Sequence, residues 1–247
     1  MRLFGLIGFP LSHSFSKRYF SEKFSKSGIS NCYYNNYELS DIHQFTEMLR
    51  NHPKLVGLNV TIPYKETIIP FLDELSAEAA EIGAVNTIQI KSGDCQLIGH
   101  NTDVTGFQTS LLGLIGDERP EALILGTGGA AKAVKFVLNK LGISHKSVSR
   151  TAMLHDNCIS YNELTVNDII SSKIIINTSP VGMHPDIATY PAIPYEGISS
   201  GHFLFDLIYN PAETSFLKKG YEKGARIVNG MEMLTIQADA AWDIWNS

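Results

Sequence analysis

Cysteine is scarce in this chain: Cys32, Cys95 and Cys158 are the only three in 247 residues. Their number is odd and they lie far apart, with no C-x-x-C pair and no Cys/His cluster. That pattern gives no ground for a disulfide framework or a structural zinc site, and reduced thiols in a cytoplasmic protein are expected. Positive charge is also short: 20 Lys and Arg stand against 25 Asp and Glu, and no basic run exceeds a pair such as Lys218-Lys219. With a pI near 5.9, the chain lacks the basic surplus by which nucleic-acid binders are known. No apolar run approaches the roughly 18 residues of a transmembrane helix. The apolar start Met1–Gly8 is shorter than a signal core and is followed at once by Pro10, so a soluble intracellular protein is expected. Repeats, low-complexity tracts and Ser/Gly linkers are missing too. What remains is an ordinary globular composition, 44% hydrophobic with 12 Phe and 10 Tyr. It is enough for one large α/β domain or two modest ones.

The order of elements supplies the organisation. Leu3–Gly8 reads as a buried strand, and about 14–27 as a helix with Phe15, Tyr19, Phe20 and Phe24 on one side and Gly28 as its stop. A strand at Asn31–Leu39, a helix carrying Ile42, Phe45 and Leu49, and a strand at Leu55–Thr61 follow. Ala84–Ile90 and Cys95–His100 flank Lys91-Ser92-Gly93-Asp94 as a hairpin. From Asp103 the pattern resets: a helix with Phe107, Leu111 and Leu114, a strand at Ala122–Leu125, then a helix from Ala130 to Leu141. Strands are expected at Ser147–Ser149, Ile174–Asn177, Phe203–Ile208 and Ala225–Val228. The last helix repeats Met231, Leu234, Ala238, Ala241 and Trp245 on one face and is expected to pack back on the first domain. The fold class is α/β in two domains: residues 1–103 with 231–247, mostly parallel, and residues 104–230, a second nucleotide-binding-like unit.

Gly126-Thr127-Gly128-Gly129-Ala130-Ala131 follows a strand and opens a helix. Glycines there let an anion approach, and main-chain N–H groups at a helix start favour one, so the loop points to a dinucleotide. Tight strand–helix turns also use glycine for steric reasons alone. The next strand ends in Ser149-Arg150-Thr151, where NAD-binding folds place an acidic residue on the ribose. No carboxylate stands there, and a guanidinium suits a 2′-phosphate, so NADP is the expected cofactor.

In the first half, Asn59, Thr61 and Lys65 lie where a strand runs into a Pro-fixed turn, the end at which parallel sheets place ligands. Asn86 and Asp103 add polar groups within otherwise apolar segments, although each also fits a structural role, as an edge-strand residue and a helix cap. Ser14 and Ser16 either cap a helix or hold a carboxylate. Gln237 flanks the apolar stripe of the last helix, where an amide is a boundary residue unless the helix lines a cleft.

Taken in order, these segments resemble the shikimate dehydrogenases over nearly the whole chain. The resemblance rests on His13-Ser14-Phe15-Ser16, Asn59-Val60-Thr61-Ile62-Pro63-Tyr64-Lys65, Gly83-Ala84-Val85-Asn86-Thr87, Asn101-Thr102-Asp103 and the Gly126–Ala130 loop. Ser149-Arg150-Thr151, Asn177-Thr178-Ser179-Pro180-Val181-Gly182-Met183, Asp206-Leu207-Ile208-Tyr209-Asn210-Pro211 and Asn229-Gly230-Met231-Glu232-Met233-Leu234 with Gln237 complete it. It implies a substrate domain and a Rossmann-like NADP-binding domain with the active site in the cleft between them. The implied reaction is the reversible reduction of 3-dehydroshikimate to shikimate by NADPH, on the route to aromatic amino acids.

By the same resemblance Ser14 and Ser16, with Tyr209 nearby, hold the substrate carboxylate. Thr61, Asn86, Asp103 and Gln237 bind ring hydroxyls, Asn59 is expected as a further substrate-binding residue, and Lys65 paired with Asp103 moves the proton. The loop Gly126, Thr127, Gly128, Gly129 and Ala130 and the strand end Ser149, Arg150 and Thr151 bind the cofactor, and Leu207 and Gly230 border the nicotinamide. No metal is implied; the partners are small molecules, and the chain is expected as a monomer or homodimer. Lys17 stands where the family usually has proline, Ser149 where it has asparagine, and Ala152-Met153-Leu154-His155 offers only a histidine where a second basic residue is common. One guanidinium in place of a clamp implies a modest preference for NADP. Two alternatives stay open: an NAD-using quinate/shikimate dehydrogenase, opposed by Arg150, and a non-catalytic sensor, opposed by the presence of Lys65 and Asp103.

Overall fold

The computed structural model describes residues 1–11, 14–91, 93, 96–151 and 157–247. The chain divides into two units, Met1–Thr102 with Ala238–Ser247, and Asp103–Gln237. The sequence reading sets the first boundary after Asp103 and gives all of 231–247 to the first unit. The division instead falls just before Asp103 and inside the last helix, after Gln237.

The first unit comprises β1 (Arg2–Gly8), α1 (Phe15–Lys26), β2 (Cys32–Glu38), α2 (Phe45–Asn51), β3 (Leu55–Val60), β4 (Glu74–Leu75), α3 (Ala77–Ile82), β5 (Thr87–Ile90) and β6 (Leu97–His100). Its sheet runs β2-β1-β3-β5-β6-β4. β1 lies parallel to β2 and β3, whereas β5 is antiparallel to β3 and to β6, so the expected hairpin forms. The hairpin tip at 92 and 94, and Cys95, lie outside the described residues. Alternation along the strands splits the core in two. Ile7, Leu58, Val60, Val85 and Ile88 face the α2 side with Phe45 and Met48. Phe4, Leu6 and Tyr34 face the other way, onto Phe20, Phe24, Ala241 and Trp245.

Trp245 is set into this second face. Its ring stacks on Phe4 with centroids 4.9 Å apart, and its indole N–H donates to the Ile88 carbonyl at 3.0 Å. Gly57 makes the room, because a Cβ there would come within 2.2 Å of the indole. Asp239 adds polar anchors, accepting from the Tyr19 hydroxyl at 2.6 Å and from Lys23 Nζ at 2.5 Å.

The second unit comprises α4 (Asp103–Ile115), β7 (Ala122–Leu125), α5 (Gly129–Lys140), β8 (His145–Ser149), β9 (Cys158–Ser160), α6 (Val166–Ser171), β10 (Ile174–Asn177), β11 (Phe203–Asp206), α7 (Ser215–Glu222), β12 (Arg226–Val228) and the first part of α8 (Met231–Trp245). Its six strands run β12-β11-β10-β7-β8-β9, every neighbouring pair parallel. That is the doubly wound order, with the chain reversing direction across the sheet at β7 and β10. Burial on both faces explains the unbroken apolar runs of β7, β10 and β11. α5 lays Ala131, Ala133, Val134, Val137 and Leu138 into the core. Among the described residues no helix is long and apolar enough to cross a membrane.

Candidate active site

In the first unit the polar residues singled out in the sequence gather at strand ends. Asn59 and Thr87 are cross-strand partners on β3 and β5. Asn59 Nδ2 donates to the Asn86 carbonyl (3.4 Å) and to Thr87 Oγ1 (3.3 Å), while its Oδ1 accepts from the Tyr34 hydroxyl (2.7 Å). Asn86 Oδ1 accepts from the main-chain N–H of Thr102 (2.7 Å), and its Nδ2 donates to Thr102 Oγ1 (3.0 Å). Asn59, Thr87, Asn86 and Thr102 are all buried, so Asn86 is no solvated edge residue. Buried amides so fully bonded hold fixed orientations.

Lys65 follows on a tied turn. Thr61 N–H donates to Ile7 O (2.9 Å), Tyr64 hydroxyl to Leu39 O (2.5 Å), and Val85 N–H to Lys65 O (2.7 Å). Thr61 and the Lys65 side chain are half-buried. Ser14 sits at the N-cap position of α1, yet its hydroxyl makes no cap bond. Its Oγ is buried with no partner among the described residues, which removes the helix-cap explanation and leaves a polar atom that a ligand would satisfy. Ser16 is half-buried on the first turn of α1, and burial pushes the Tyr34 phenol far above its usual range. Sequence reasoning missed Tyr34; the only signal was a tyrosine at an inward position of an otherwise polar strand. His13 lies outside the described residues.

In the second unit, Gly126 adopts φ +121°, a conformation closed to other residues, and a Cβ there would meet Thr178 Oγ1 at 2.6 Å. The Thr178 main-chain N–H and hydroxyl both donate to the Leu125 carbonyl, at 3.0 and 2.9 Å, so the turn after β10 is pinned to the end of β7. Gly128 caps α5 without a side chain, a Cβ there would touch nothing within 4 Å, and the first turn of α5 carries no acidic residue. Main-chain N–H groups at the positive end of the helix dipole thus border open space, which fits a phosphate. Thr127, Gly129 and Ala130 are half-buried around it.

At the end of β8, Ser149 and Thr151 close a turn on each other, the Ser149 hydroxyl donating to Thr151 O and Thr151 N–H to Ser149 Oγ. Arg150 between them is exposed. Residues 152–155, with the histidine noted in the sequence, lie outside the described residues.

The β11 end carries a group the sequence reading quoted without a role. Asp206 is fully buried and accepts from Asn177 Nδ2 (3.0 Å), Ile208 N–H (3.1 Å) and Thr214 Oγ1 (2.6 Å). Burial pushes its carboxyl up to about 6, and those three bonds hold it from going higher. The Ile208 bond turns the chain out of the sheet, so β11 stops at Asp206 and not at Ile208. Beyond it, Gly230 N–H donates to Ile208 O (3.0 Å), and a Cβ on Gly230 would lie 2.0 Å from Leu207 O. Leu207 and Gly230 therefore touch backbone to backbone. Tyr209 follows, half-buried, while Asp103 and Gln237 are buried in α4 and α8 of the same unit.

Residues 6–88 match the family model described as the shikimate dehydrogenase substrate binding domain. The chain is 37% identical to the shikimate dehydrogenase (NADP(+)) of Methanococcus maripaludis, over 99% of this chain and 91% of that protein. It is 38% identical to the protein of the same name from Carboxydothermus hydrogenoformans, with the same coverage. The chain belongs to the shikimate dehydrogenase family. A solved family member, shikimate 5-dehydrogenase of Thermus thermophilus in complex with NADP(H) and shikimate, is 29% identical with a TM-score of 0.87, over 99% of this chain and 93% of that one. The shikimate dehydrogenase fold is thus shared along the whole length, insertions and deletions aside.

Proposed function

We propose that this chain catalyses the reversible NADPH-dependent reduction of 3-dehydroshikimate to shikimate, a step towards chorismate and the aromatic amino acids. The observation that carries the reading is Lys65 on its tied turn in the same unit as the buried Asn59–Thr87–Asn86–Thr102 array. Reduction of a ketone builds negative charge on its oxygen, which needs a nearby cation and then a proton. A lysine ammonium supplies both, and a carboxylate, Asp103, orients the hydroxyl that results. Thr61, Asn86 and Gln237 are assigned to the ring hydroxyls, and Asn59 to the substrate-binding set. Ser14 and Ser16, with Tyr209, are assigned to the carboxylate.

Gly126, Thr127, Gly128, Gly129 and Ala130 fit the pyrophosphate, Arg150 on the Ser149–Thr151 turn fits a 2′-phosphate, and Leu207 and Gly230 border the nicotinamide. NADPH, when bound, supplies the hydride. The relatives that carry the name shikimate dehydrogenase (NADP(+)) support this cofactor. The enzyme is placed in the cytoplasm as a monomer or homodimer acting on small molecules.

The test is absorbance at the nicotinamide band with shikimate or quinate and NADP or NAD. Fastest turnover is expected with shikimate and NADP. No turnover in any of the four combinations would favour a non-catalytic sensor, and an NAD advantage would remove the role given to Arg150.

A further inference from the structure

The three groups bonded to the Asp206 carboxylate all give it a hydrogen. Ile208 N–H can only donate. Asn177 Oδ1 accepts from the Ser179 main-chain N–H at 3.1 Å, so Nδ2 is the atom turned to Asp206. Thr214 Oγ1 accepts from Leu217 N–H at 3.3 Å as the N-cap of α7 and gives its own hydrogen to Asp206. Asn177 and Ile208 share Oδ1, whereas Thr214 takes Oδ2. The two oxygens therefore serve different parts of the unit. Oδ2 holds the start of α7. Oδ1 holds Ile208, whose carbonyl in turn accepts from Gly230 N–H at 3.0 Å. The backbone contact of Leu207 with Gly230 thus hangs from Oδ1 through Ile208. The Gly126 loop is tied independently: Thr178 bonds twice to the Leu125 carbonyl, and Gly126 N–H donates to Val148 O at 2.9 Å.

We propose that Asp206, through Oδ1, is a positioning residue for the nicotinamide half of the cofactor, holding Leu207 against Gly230 by way of the Ile208 N–H. The inference rests on the assignment of Leu207 and Gly230 to the nicotinamide made above. Asp206→Ala leaves the N–H of the buried Ile208 without its acceptor, a loss the turn relieves only by moving. Binding a nicotinamide must then restore the turn first, whereas an adenosine phosphate on the Gly126 loop need not. Asp206→Asn separates the two oxygens. Two donors face Oδ1, so the amide oxygen takes that place and the amide nitrogen turns to Thr214 Oγ1, which can accept. The Ile208 bond survives and only the Thr214 hydrogen is displaced. Thr214→Val loses the Oδ2 bond alone. A carboxylate that served the fold and nothing else would weaken both halves of the cofactor alike, or neither.

The experiment titrates NADPH, by its fluorescence, and adenosine 2′,5′-bisphosphate, by calorimetry, into wild type, Asp206→Ala, Asp206→Asn and Thr214→Val, with thermal melts alongside. Asp206→Ala is expected to raise the NADPH Kd at least about tenfold, the worth of a hydrogen bond to a charged group, and to leave the bisphosphate Kd within about twofold. Asp206→Asn is expected to recover most of that loss, and Thr214→Val to lower Tm with both constants kept. Equal weakening of the two ligands by Asp206→Ala overturns the proposal, as does an unchanged NADPH Kd. Absence of rescue by Asp206→Asn overturns it too, and so does the same selective loss in Thr214→Val, where the Ile208 bond is intact. A wild type that binds neither ligand refutes the cofactor assignment instead, and one that binds NADPH no more tightly than the bisphosphate refutes the place given to Leu207 and Gly230. Should Asp206→Ala not fold, a crystal structure of wild type with NADPH decides. A nicotinamide against Leu207 and Gly230, with Ile208 N–H still on Asp206, supports the proposal; a nicotinamide elsewhere, or Ile208 released from Asp206, overturns it.

Discussion

Asp206 makes stability depend on pH in a direction opposite to that of most carboxylates. Its pKa is raised from 3.8 to about 6 because burial disfavours the charged form. Between those values the unfolded chain has released the proton and the folded one still holds it. Stability from this group is therefore complete below about 4 and is lost as pH rises through 6. The rise from 3.8 to about 6 corresponds in full to about 3 kcal/mol, undiminished by solvent because the side chain is fully buried. Asp206→Asn keeps the shape and cannot ionise. Denaturant unfolding of wild type and Asp206→Asn, followed from pH 4 to pH 7.5, isolates the effect, since every other titrating group cancels in the difference. The variant should gain roughly 2–3 kcal/mol on wild type across that range, whatever constant offset the altered hydrogen bonds introduce. A difference that stays flat with pH, or moves the other way, would refute the assignment of a protonated Asp206 below 6.

Lys65→Ala should lower kcat a hundred- to ten-thousand-fold, the usual worth of a positioned proton donor, while shikimate Kd changes less than about tenfold; near wild-type kcat removes Lys65 from the mechanism. Arg150→Ala should raise KM for NADPH about tenfold and leave KM for NADH unchanged, because a guanidinium on a 2′-phosphate is a charge-assisted contact; equal effects on both cofactors count against it. Gly230→Ala drives a methyl against the Leu207 carbonyl, 2.0 Å away, which only a backbone shift relieves. Overpacking of that kind costs about 1–3 kcal/mol and displaces the two residues assigned to the nicotinamide, so both Tm and NADPH affinity should fall; retention of both would show the contact to be yielding.

What the sequence made legible follows from burial. β7, β10 and β11 are covered on both faces and appear as bare apolar runs, and the stripe of α5 repeats every three to four residues. The elements that escaped notice are short or sit at edges. α3 and α6 have six residues each and β4 only two, too little for any period to show. The helix read through Ile42 and Leu49 begins as a 3₁₀ turn, Ile42–Gln44, fixed by a capping box between Asp41 and Gln44. The strand read from Ala84 starts only at Thr87, because Val85 bonds instead to Lys65 O and serves the tied turn. At the site, the resemblance named the groups that would meet a ligand. It was silent on Tyr34 and Asp206, whose importance lies in what they bond to inside the fold, a matter of partners distant in the chain.

Trp245 also fixes an order of events during synthesis. The slot above Gly57 that it fills belongs to the first unit, yet the indole is made after every residue of the second. A nascent chain that has produced β1 to β6 carries Phe4, Phe20 and Tyr34 with one apolar side uncovered until residues 238–247 emerge. The second unit, contiguous from Asp103 to Gln237, has no such wait. Vectorial production thus leaves the earlier half as the later one to mature, with a sticky surface exposed meanwhile that chaperones would recognise.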